Sequence, residues 1–186
     1  MKFTNNQIFH IYNQGNNRER IFFNDSNYLY FLTKVRTYLL PFGKMINYCL
    51  MPNHFHILFY LEQLKVEING KNMACNQAIG FMLMSYTKAI NIQQHRSGSL
   101  FRSKTKINDP WREGFITISK IFEDNSFEKS DFIQNCFDYI HLNPVSAGMV
   151  KLPEEWMYSS AMDYKGLRNG TMCDKNWVIE TFGINT

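Results

Sequence analysis

Two histidines separated by one residue, His54 and His56 in Met51-Pro-Asn-His-Phe-His-Ile-Leu58, are the first residues in this chain whose types and spacing could do chemistry. Around them Phe55, Ile57 and Phe59 alternate with His54, His56, Leu58 and Tyr60. That is the period of a β-strand, in which residues i and i+2 share a face. Two imidazoles so placed stand about 7 Å apart at the backbone, close enough to ligate one cation, and a strand holds them stiffly before any ion arrives. The same pair, taken alone, equally fits two half-exposed strand histidines with no ligand.

A second stretch lies far downstream, Tyr139-Ile-His-Leu-Asn-Pro144. Ile133, Cys136, Phe137 and Ile140 repeat at i, i+3, i+4 and i+7, which predicts a helix. Tyr139 and Asn143 are i and i+4, hence neighbours on its surface if the helix runs that far. At about 100° per residue, Tyr139 falls roughly 110° and Asn143 roughly 70° from the centre of the apolar stripe, on its shoulder. A phenol and an amide oxygen could therefore face the histidines. Other readings stand beside this one. Asn143 could be an N-cap with Pro144 at the first position of a new helix, or the residue where the helix stops before proline. Tyr139 could be an ordinary surface tyrosine in a chain with 10 of them.

His54-Phe-His56 resembles the His-hydrophobic-His (HUH) motif of single-strand DNA endonucleases. The longer run Leu50 to Leu58, followed by Tyr139-Ile-His-Leu-Asn-Pro-Val-Ser-Ala-Gly148, resembles the single-tyrosine HUH transposases and, among them, the REP-associated tyrosine transposase branch. Three further stretches fit that branch: Asn13-Gln-Gly-Asn-Asn-Arg18 near the start, Gly98-Ser-Leu-Phe-Arg102 mid-chain, and Trp156-Met-Tyr-Ser-Ser160. The resemblance spans about residues 8 to 164, with the pieces in the family's order.

The resemblance implies a DNA transposase or single-strand DNA endonuclease. In it Tyr139 attacks a phosphodiester, giving a 5′-phosphotyrosine link and a free 3′-OH, and strand transfer follows by reversal without ATP. A phenol with pKa near 10 is only about one part in a thousand phenolate at pH 7, so it needs activation. A divalent ion, Mg²⁺ or Mn²⁺, held by His54, His56 and Asn143 would polarise the scissile phosphate. Nitrogen ligands suit Mn²⁺ better than Mg²⁺. Insertion-sequence relatives often carry Gln where this chain has Asn143, so the shorter arm here calls for a closer approach. His141, two positions from Tyr139, is expected to point elsewhere, toward DNA. The implied substrates are hairpins of palindromic repeats with short single-stranded flanks. Both a single chain and a homodimer are compatible with the family.

Composition sets the frame. With 186 residues, one domain with a real core is the simplest organisation. The four cysteines, Cys49, Cys75, Cys136 and Cys173, form no Cys-x-x-Cys pair, which argues against a structural zinc site and fits a reducing cytosol; the resemblance adds association with the nucleoid when DNA is bound. No secretory signal and no membrane-crossing run is apparent. A net charge of +4 permits a polyanionic partner without requiring one, and an aromatic content of 16% supplies rings on which unpaired bases stack.

Taken in order, Gln7 to Tyr12 reads as a strand, and His10 on it is open between a third metal ligand and a polar contact. Asn13 to Arg20 is a polar loop offering Arg18 and Arg20 to phosphates. Asp25 or Ser26 caps a helix with Tyr28, Phe31, Leu32, Val35 and Leu39 on one stripe, and Lys44 to Leu50 forms a second strand. Residues 62 to 76 read as a loop turning at Asn69-Gly70. A further helix carries Ile79, Met82, Leu83, Tyr86 and Ile90. The most basic stretch follows, with Arg96, Arg102, Lys104 and Lys106 around Phe101; it reads as a DNA surface, or else as a charged edge strand. A short helix is expected after Pro144.

Strand, helix, two strands, helix, strand is a split-βαβ order. The expected fold is α+β, a ferredoxin-like sandwich of antiparallel sheet with helices on one face and an added C-terminal nucleophile helix. One HUH-like domain would cover 1–186: a core over 1–108, then an insertion, the nucleophile helix and the C-terminal motif over 109–165, and a tail over 166–186. Two other functions are compatible with parts of this pattern. One is a domesticated protein that grips hairpin DNA without cutting. The other is a His-x-His hydrolase or oxygenase, which is weakened because position 58 is Leu where a histidine-triad protein needs His, and because a cupin needs many more strands.

Overall fold

The structure is a computed structural model and describes residues 5–103 and 128–184. Three strands build the central sheet: β1 (Gln7–Gln14), β2 (Gly43–Met51) and β3 (His54–Leu61). Their order is β1-β3-β2, both pairs antiparallel, so the histidine strand is the middle one. Helix α1 (Asp25–Tyr38) connects β1 to β2, and the two-residue turn Pro52-Asn53 returns the chain into β3. Asn24, one residue ahead of the expected Asp25 or Ser26, caps α1 by accepting from the Asn27 amide. Residues 62 to 76 depart from the expected loop. They form a hairpin, β4 (Lys65–Ile68) and β5 (Lys71–Ala74), with Asn69-Gly70 at its tip in left-handed backbone. Helix α2 (Cys75–Gln93) follows directly.

After α2 the chain returns to the free side of β1. Phe101 bridges Gly15 in antiparallel sense, with Asn16 N donating to Leu100 O and Arg102 N donating to Gln14 O, each at 3.0 Å. This bridge sets residues 100–102 beside β1, giving the neighbour order 100–102, β1, β3, β2 of a ferredoxin-like sandwich, so the α+β expectation is met. Lys104 and Lys106, expected to continue that strand, lie outside the described residues.

Alternation along the strands divides the core in two. Phe9, Ile11, Met45, Tyr48, Phe55, Ile57 and Phe59 face α1 and α2, meeting Phe31, Val35, Met82, Tyr86 and Ile90 in the larger core. Ile8, Ile46, Cys49, Met51 and Leu58 face the other way, beneath Ile133, Cys136, Phe137 and Ile140 of α3 (Glu128–Ser146). Two helices therefore cover one sheet face and the added helix covers the face that carries His54 and His56. Each such apolar side chain contributes about 1.5–3 kcal/mol on burial. The bulge between Met45 and Asn47 turns both Ile46 and Asn47 toward α3. The tail is structured as well: α5 (Lys175–Phe182) places Val178, with Ile184 just beyond it, at the apolar end of that second core.

Helix α3 does not stop at Asn143. It runs through Pro144 and closes at Gly148, where Gly148 N donates to Val145 O and Met149 N to Pro144 O around a left-handed glycine at φ 67°. Proline so near the end removes one ladder bond, and the glycine closure offsets that loss. The chain after Gly148 forms a short 3₁₀ turn at Pro153–Glu155 where a helix was expected.

The Trp156–Ser160 segment lies along the outer edge of β2. Leu50 N donates to Tyr158 O and Ser160 N to Tyr48 O, while Trp156 Nε1 donates to Leu50 O at 2.9 Å. This covers an edge that would otherwise expose unpaired backbone. Just beyond, α4 (Ala161–Tyr164) carries Asp163, which is buried and forked by Arg168 at 2.7 and 2.8 Å; Arg168 also donates to Met157 O and Ser159 O. Replacing Arg168 with Ala strands a buried carboxylate. We expect Arg168→Ala to cost about 2–3 kcal/mol in urea unfolding, against less than about 1 kcal/mol for Lys44→Ala, whose pair with Asp174 is largely exposed. Equal losses would mean that the Arg168 fork does not hold the edge segment.

Candidate active site

The helix-facing side of the sheet changes character along its length. At the end near Ile8 and Tyr60 it is apolar and lies under α5. Toward the other end come rows of polar groups fixed by register: His10 opposite Leu58, Tyr12 opposite His56 with Cys49 beyond, and Gln14 opposite His54 with Met51 beyond. Tyr139 and Asn143 of α3 lie over these rows. The Tyr139 ring meets the His56 ring edge-on at 5.6 Å and the His10 ring at 6.5 Å. Asn143 Oδ1 stands 3.5 Å from His54 Nε2. The structure thus brings His54, His56, Tyr139 and Asn143 together.

Two buried hydrogen bonds, one from a side chain to the α3 backbone and one between side chains, fix α3 in this pose. Buried Asn47 on the bulge donates to Phe137 O at 2.9 Å. His141 Nε2 lies 2.8 Å from Ser160 Oγ, which also accepts from Tyr48 N at 2.9 Å. His141 is buried, with its pKa pushed down to about 3 chiefly by desolvation. It does point away from Tyr139 as expected, but into the protein and not toward DNA. Two residues along a helix are about 200° apart, so once Tyr139 looks at the sheet edge His141 must look at the C-terminal segment.

The imidazoles are held by partners on their Nδ1 atoms. His54 Nδ1 lies 2.6 Å from Asn53 Oδ1, and the Asn53 amide is oriented by its Nδ2 donating to Arg18 O at 3.2 Å. His54 Nδ1 is accordingly the donor and Nε2 carries a lone pair toward Asn143. The Asn143 amide is oriented too, because its Nδ2 donates to Tyr139 O at 2.8 Å, leaving Oδ1 toward His54. Two lone-pair atoms thus face each other over 3.5 Å, an arrangement that a shared cation, or a proton on Nε2, satisfies. His56 Nδ1 lies 2.8 Å from His10 Nε2. Burial lowers the pKa of His10 to about 4; burial, with the nearby charges of His10 and then His54, takes His56 well below the ordinary histidine range, so the pair is neutral at pH 7. With its Nε2 given to His56, His10 makes the polar contact that was one of its two expected roles.

Among the described residues no group of three or more His, Cys, Asp or Glu side chains could hold a metal ion. A cation here would rest on two imidazoles and one amide oxygen. That neutral, incomplete set would fit a divalent ion that draws further ligands from outside the protein. The short arm of Asn143 reaches because the helix continues past it.

The loop after β1 wraps the His54 end of the site. Gly15 N donates to Asn53 O, and Ile21 N and Phe22 N both donate to Pro52 O. A Cβ on Gly15 would lie 2.2 Å from Glu19 O, so the loop closes only with glycine there. Arg18 and Arg20 are exposed on this loop beside Asn53. Arg102 lies across Gln14 from His54, about 10 Å away at two strand spacings. Since Phe101 is buried in the α1–α2 core, alternation turns Arg102 toward the histidine face. Arg96 is paired instead with Glu19 at 3.7 Å.

Two other tyrosines that a nucleophile search would consider are committed elsewhere. Tyr86 is buried and donates to Ile21 O at 2.7 Å, and Tyr164 donates to Ile46 O; burial raises both pKa values far above the ordinary phenol. Two neighbours of the histidines carried no recognised site role in the sequence: Tyr12, whose ring lies 5.7 Å from that of His56, and Asn53, the Nδ1 partner of His54; His10, read as a third ligand or a polar contact, is the Nδ1 partner of His56. The i, i+2 spacing of His10 and Tyr12 was the available signal.

Comparison with known proteins bears on the family. No protein-family model matches the chain. A putative REP-associated tyrosine transposase of Haemophilus influenzae (strain ATCC 51907 / DSM 11121 / KW20 / Rd) is 28% identical over 112 residues, 60% of this chain and 55% of that protein. The match therefore spans about half the length of the curated relative. A solved structure of a REP-associated tyrosine transposase bound to a REP hairpin superimposes with a TM-score of 0.55, covering 89% of this chain and 83% of that one at 14% identity, a likeness of fold. The resemblance read from the motifs is borne out.

Ser160→Ala tests the docking of α3. Losing the hydroxyl leaves buried His141 and the Tyr48 amide short of a partner, a cost of about 2 kcal/mol. Hydrogen exchange should speed up in α3 more than in α1 or α2. Protection in α3 equal to wild type would show that the His141–Ser160 contact does not hold the helix.

Proposed function

We infer that this chain, similar to the REP-associated tyrosine transposases, is a DNA transposase-type enzyme that binds hairpin DNA and breaks and rejoins the adjoining single strand. The observation that supports this most is the convergence of Tyr139 and Asn143 from one helix onto His54 and His56 from the middle strand. The structural relative was solved on a REP hairpin, which makes palindromic-repeat hairpins the natural substrate class for this chain.

Tyr139 is the nucleophile. Its phenolic oxygen, on losing its proton, forms a bond to phosphorus as the bond to the 3′-oxygen breaks, leaving a 5′-phosphotyrosine and a 3′-hydroxyl. The exchange conserves the phosphodiester, so a 3′-hydroxyl in the same place reverses it and joins strands. His54, His56 and Asn143 would hold a Mg²⁺ or Mn²⁺ ion, which supplies Lewis-acid polarisation of the phosphate. Because both imidazoles are tied through Nδ1, their Nε2 edges turn inward without reorganisation at the moment of reaction. Arg18, Arg20 and Arg102 rim the histidine end and pair with backbone phosphates; Arg96 steadies the loop through Glu19 and touches DNA less. Lys104 and Lys106, outside the described residues, are further candidates for phosphate contact in this reading.

A hairpin-binding protein without cleavage is the alternative, and one experiment separates the two. Labelled hairpin oligonucleotides drawn from repeats flanking the gene are incubated with protein and Mn²⁺, then run under denaturing conditions. Wild type should give a protein–DNA adduct, Tyr139→Phe should lower it at least about 100-fold, and EDTA should suppress it. Binding of the same hairpin with no adduct in wild type favours the non-cleaving reading. Undiminished adduct in Tyr139→Phe moves the nucleophile to another residue.

A further inference from the structure

We propose that His10 is a positioning residue for the site: through its hydrogen bond it holds the His56 ring in the tautomer whose Nε2 can ligate a cation. The proposal rests on the reading that His54 and His56 share that ion, and it concerns an atom that reading leaves undecided. For His54 the matter is closed by Asn53, because an amide oxygen only accepts, so Nδ1 must carry the proton. His56 has no such one-way partner at Nδ1. Its contact is another imidazole, His10 Nε2 at 2.8 Å, and a single proton can sit on either nitrogen.

The two placements differ in consequence. With the proton on His56 Nδ1, the bond runs from His56 to His10 and His56 Nε2 keeps its lone pair. With the proton on His10 Nε2, the bond runs the other way and His56 Nε2 becomes an N–H, which cannot ligate. Geometry supports His10 as a designed neighbour and not a chance one. The two rings lie edge to edge and nearly coplanar, centroids 5.0 Å and planes 21° apart, as a hydrogen bond between ring nitrogens requires, and the Tyr12 ring lies close to both, at 5.1 Å from His10 and 5.7 Å from His56. Register adds to this: His10 pairs with Leu58, so it reaches His56 diagonally along the sheet, and Tyr12, directly opposite His56, prevents the His56 ring from turning away. Second-neighbour partners of this kind, which set both ring orientation and basicity, typically change metal affinity about 10–100-fold when removed.

The test reads the tautomer directly. Uniformly ¹⁵N-labelled protein is examined by long-range imidazole ¹H–¹⁵N correlation without metal, and Mn²⁺ affinity is measured by calorimetry, for wild type, His10→Phe and His10→Gln. Wild type should show His56 with its proton on Nδ1. His10→Phe should shift His56 toward the Nε2–H form and weaken Mn²⁺ binding by about tenfold or more. His10→Gln, which keeps an acceptor oxygen at similar reach, should restore most of both while thermal stability stays close to that of His10→Phe. The same His56 tautomer in wild type and His10→Phe overturns the proposal, as does unchanged Mn²⁺ affinity. If wild type binds no Mn²⁺, the shared-ion reading fails, and the tautomer comparison still decides whether His10 sets the ring.

Discussion

The site depends on how one helix is pinned to one face of the sheet. Helix α3 brings Tyr139 and Asn143 to the histidine strand only because Asn47 holds the Phe137 carbonyl and Ser160 holds His141. Both contacts are buried and directional, and the apolar stripe beneath them tolerates sliding where they do not. A helix docked by Ile133, Phe137 and Ile140 alone could shift by a residue or rotate on its axis at small cost. Fixing the Phe137 carbonyl and the His141 ring removes both freedoms. The bulge in β2 belongs to the same device, because it turns Asn47 toward the helix.

Neutral ligands give the site its electrostatic character. Burial keeps His10 and His56 uncharged, and Asn143 contributes an amide where a carboxylate would bind a divalent ion more tightly. In the proposed reading such a neutral set would bind a cation weakly by itself and more strongly when a phosphate adds its oxygen, which would couple ion binding to substrate binding. Arg18, Arg20 and Arg102 put positive charge near the histidine end and not among the histidines, a placement that in the proposed reading would serve a DNA backbone without repelling an ion. The loop carrying two of those arginines is tied to the very turn that leads into His54, so the proposed DNA contact and the proposed ligand would share one piece of backbone.

Much of this was legible in the sequence, and the misses have physical causes. Strict alternation through Phe59 identified β3 and its two faces, and the stripe from Ile133 to Ile140 identified α3. The hairpin at 65–74 was hidden because strands of four residues carry too few apolar positions to show a period, although its Asn69-Gly70 tip was readable. Pro144 argued for a break that does not occur, since a glycine closure four residues later secures the helix end. His141 looked exposed because its partner, Ser160, lies in a segment with no periodicity of its own. Asn53 and Tyr12, and the identity of the polar partner of His10, escaped for a related reason: cross-strand neighbours depend on register, and register becomes visible only once the strands are paired.

The central claim is that the phenol beside the paired imidazoles carries the chemistry, and two phenols adjoin His56: Tyr139 and Tyr12. Protease digestion of the protein–oligonucleotide adduct followed by tandem mass spectrometry distinguishes them residue by residue. The account predicts a phosphodiester link to the DNA 5′ end on the peptide containing Tyr139. A link on Tyr12, or on a tyrosine remote from His54 and His56, would contradict it.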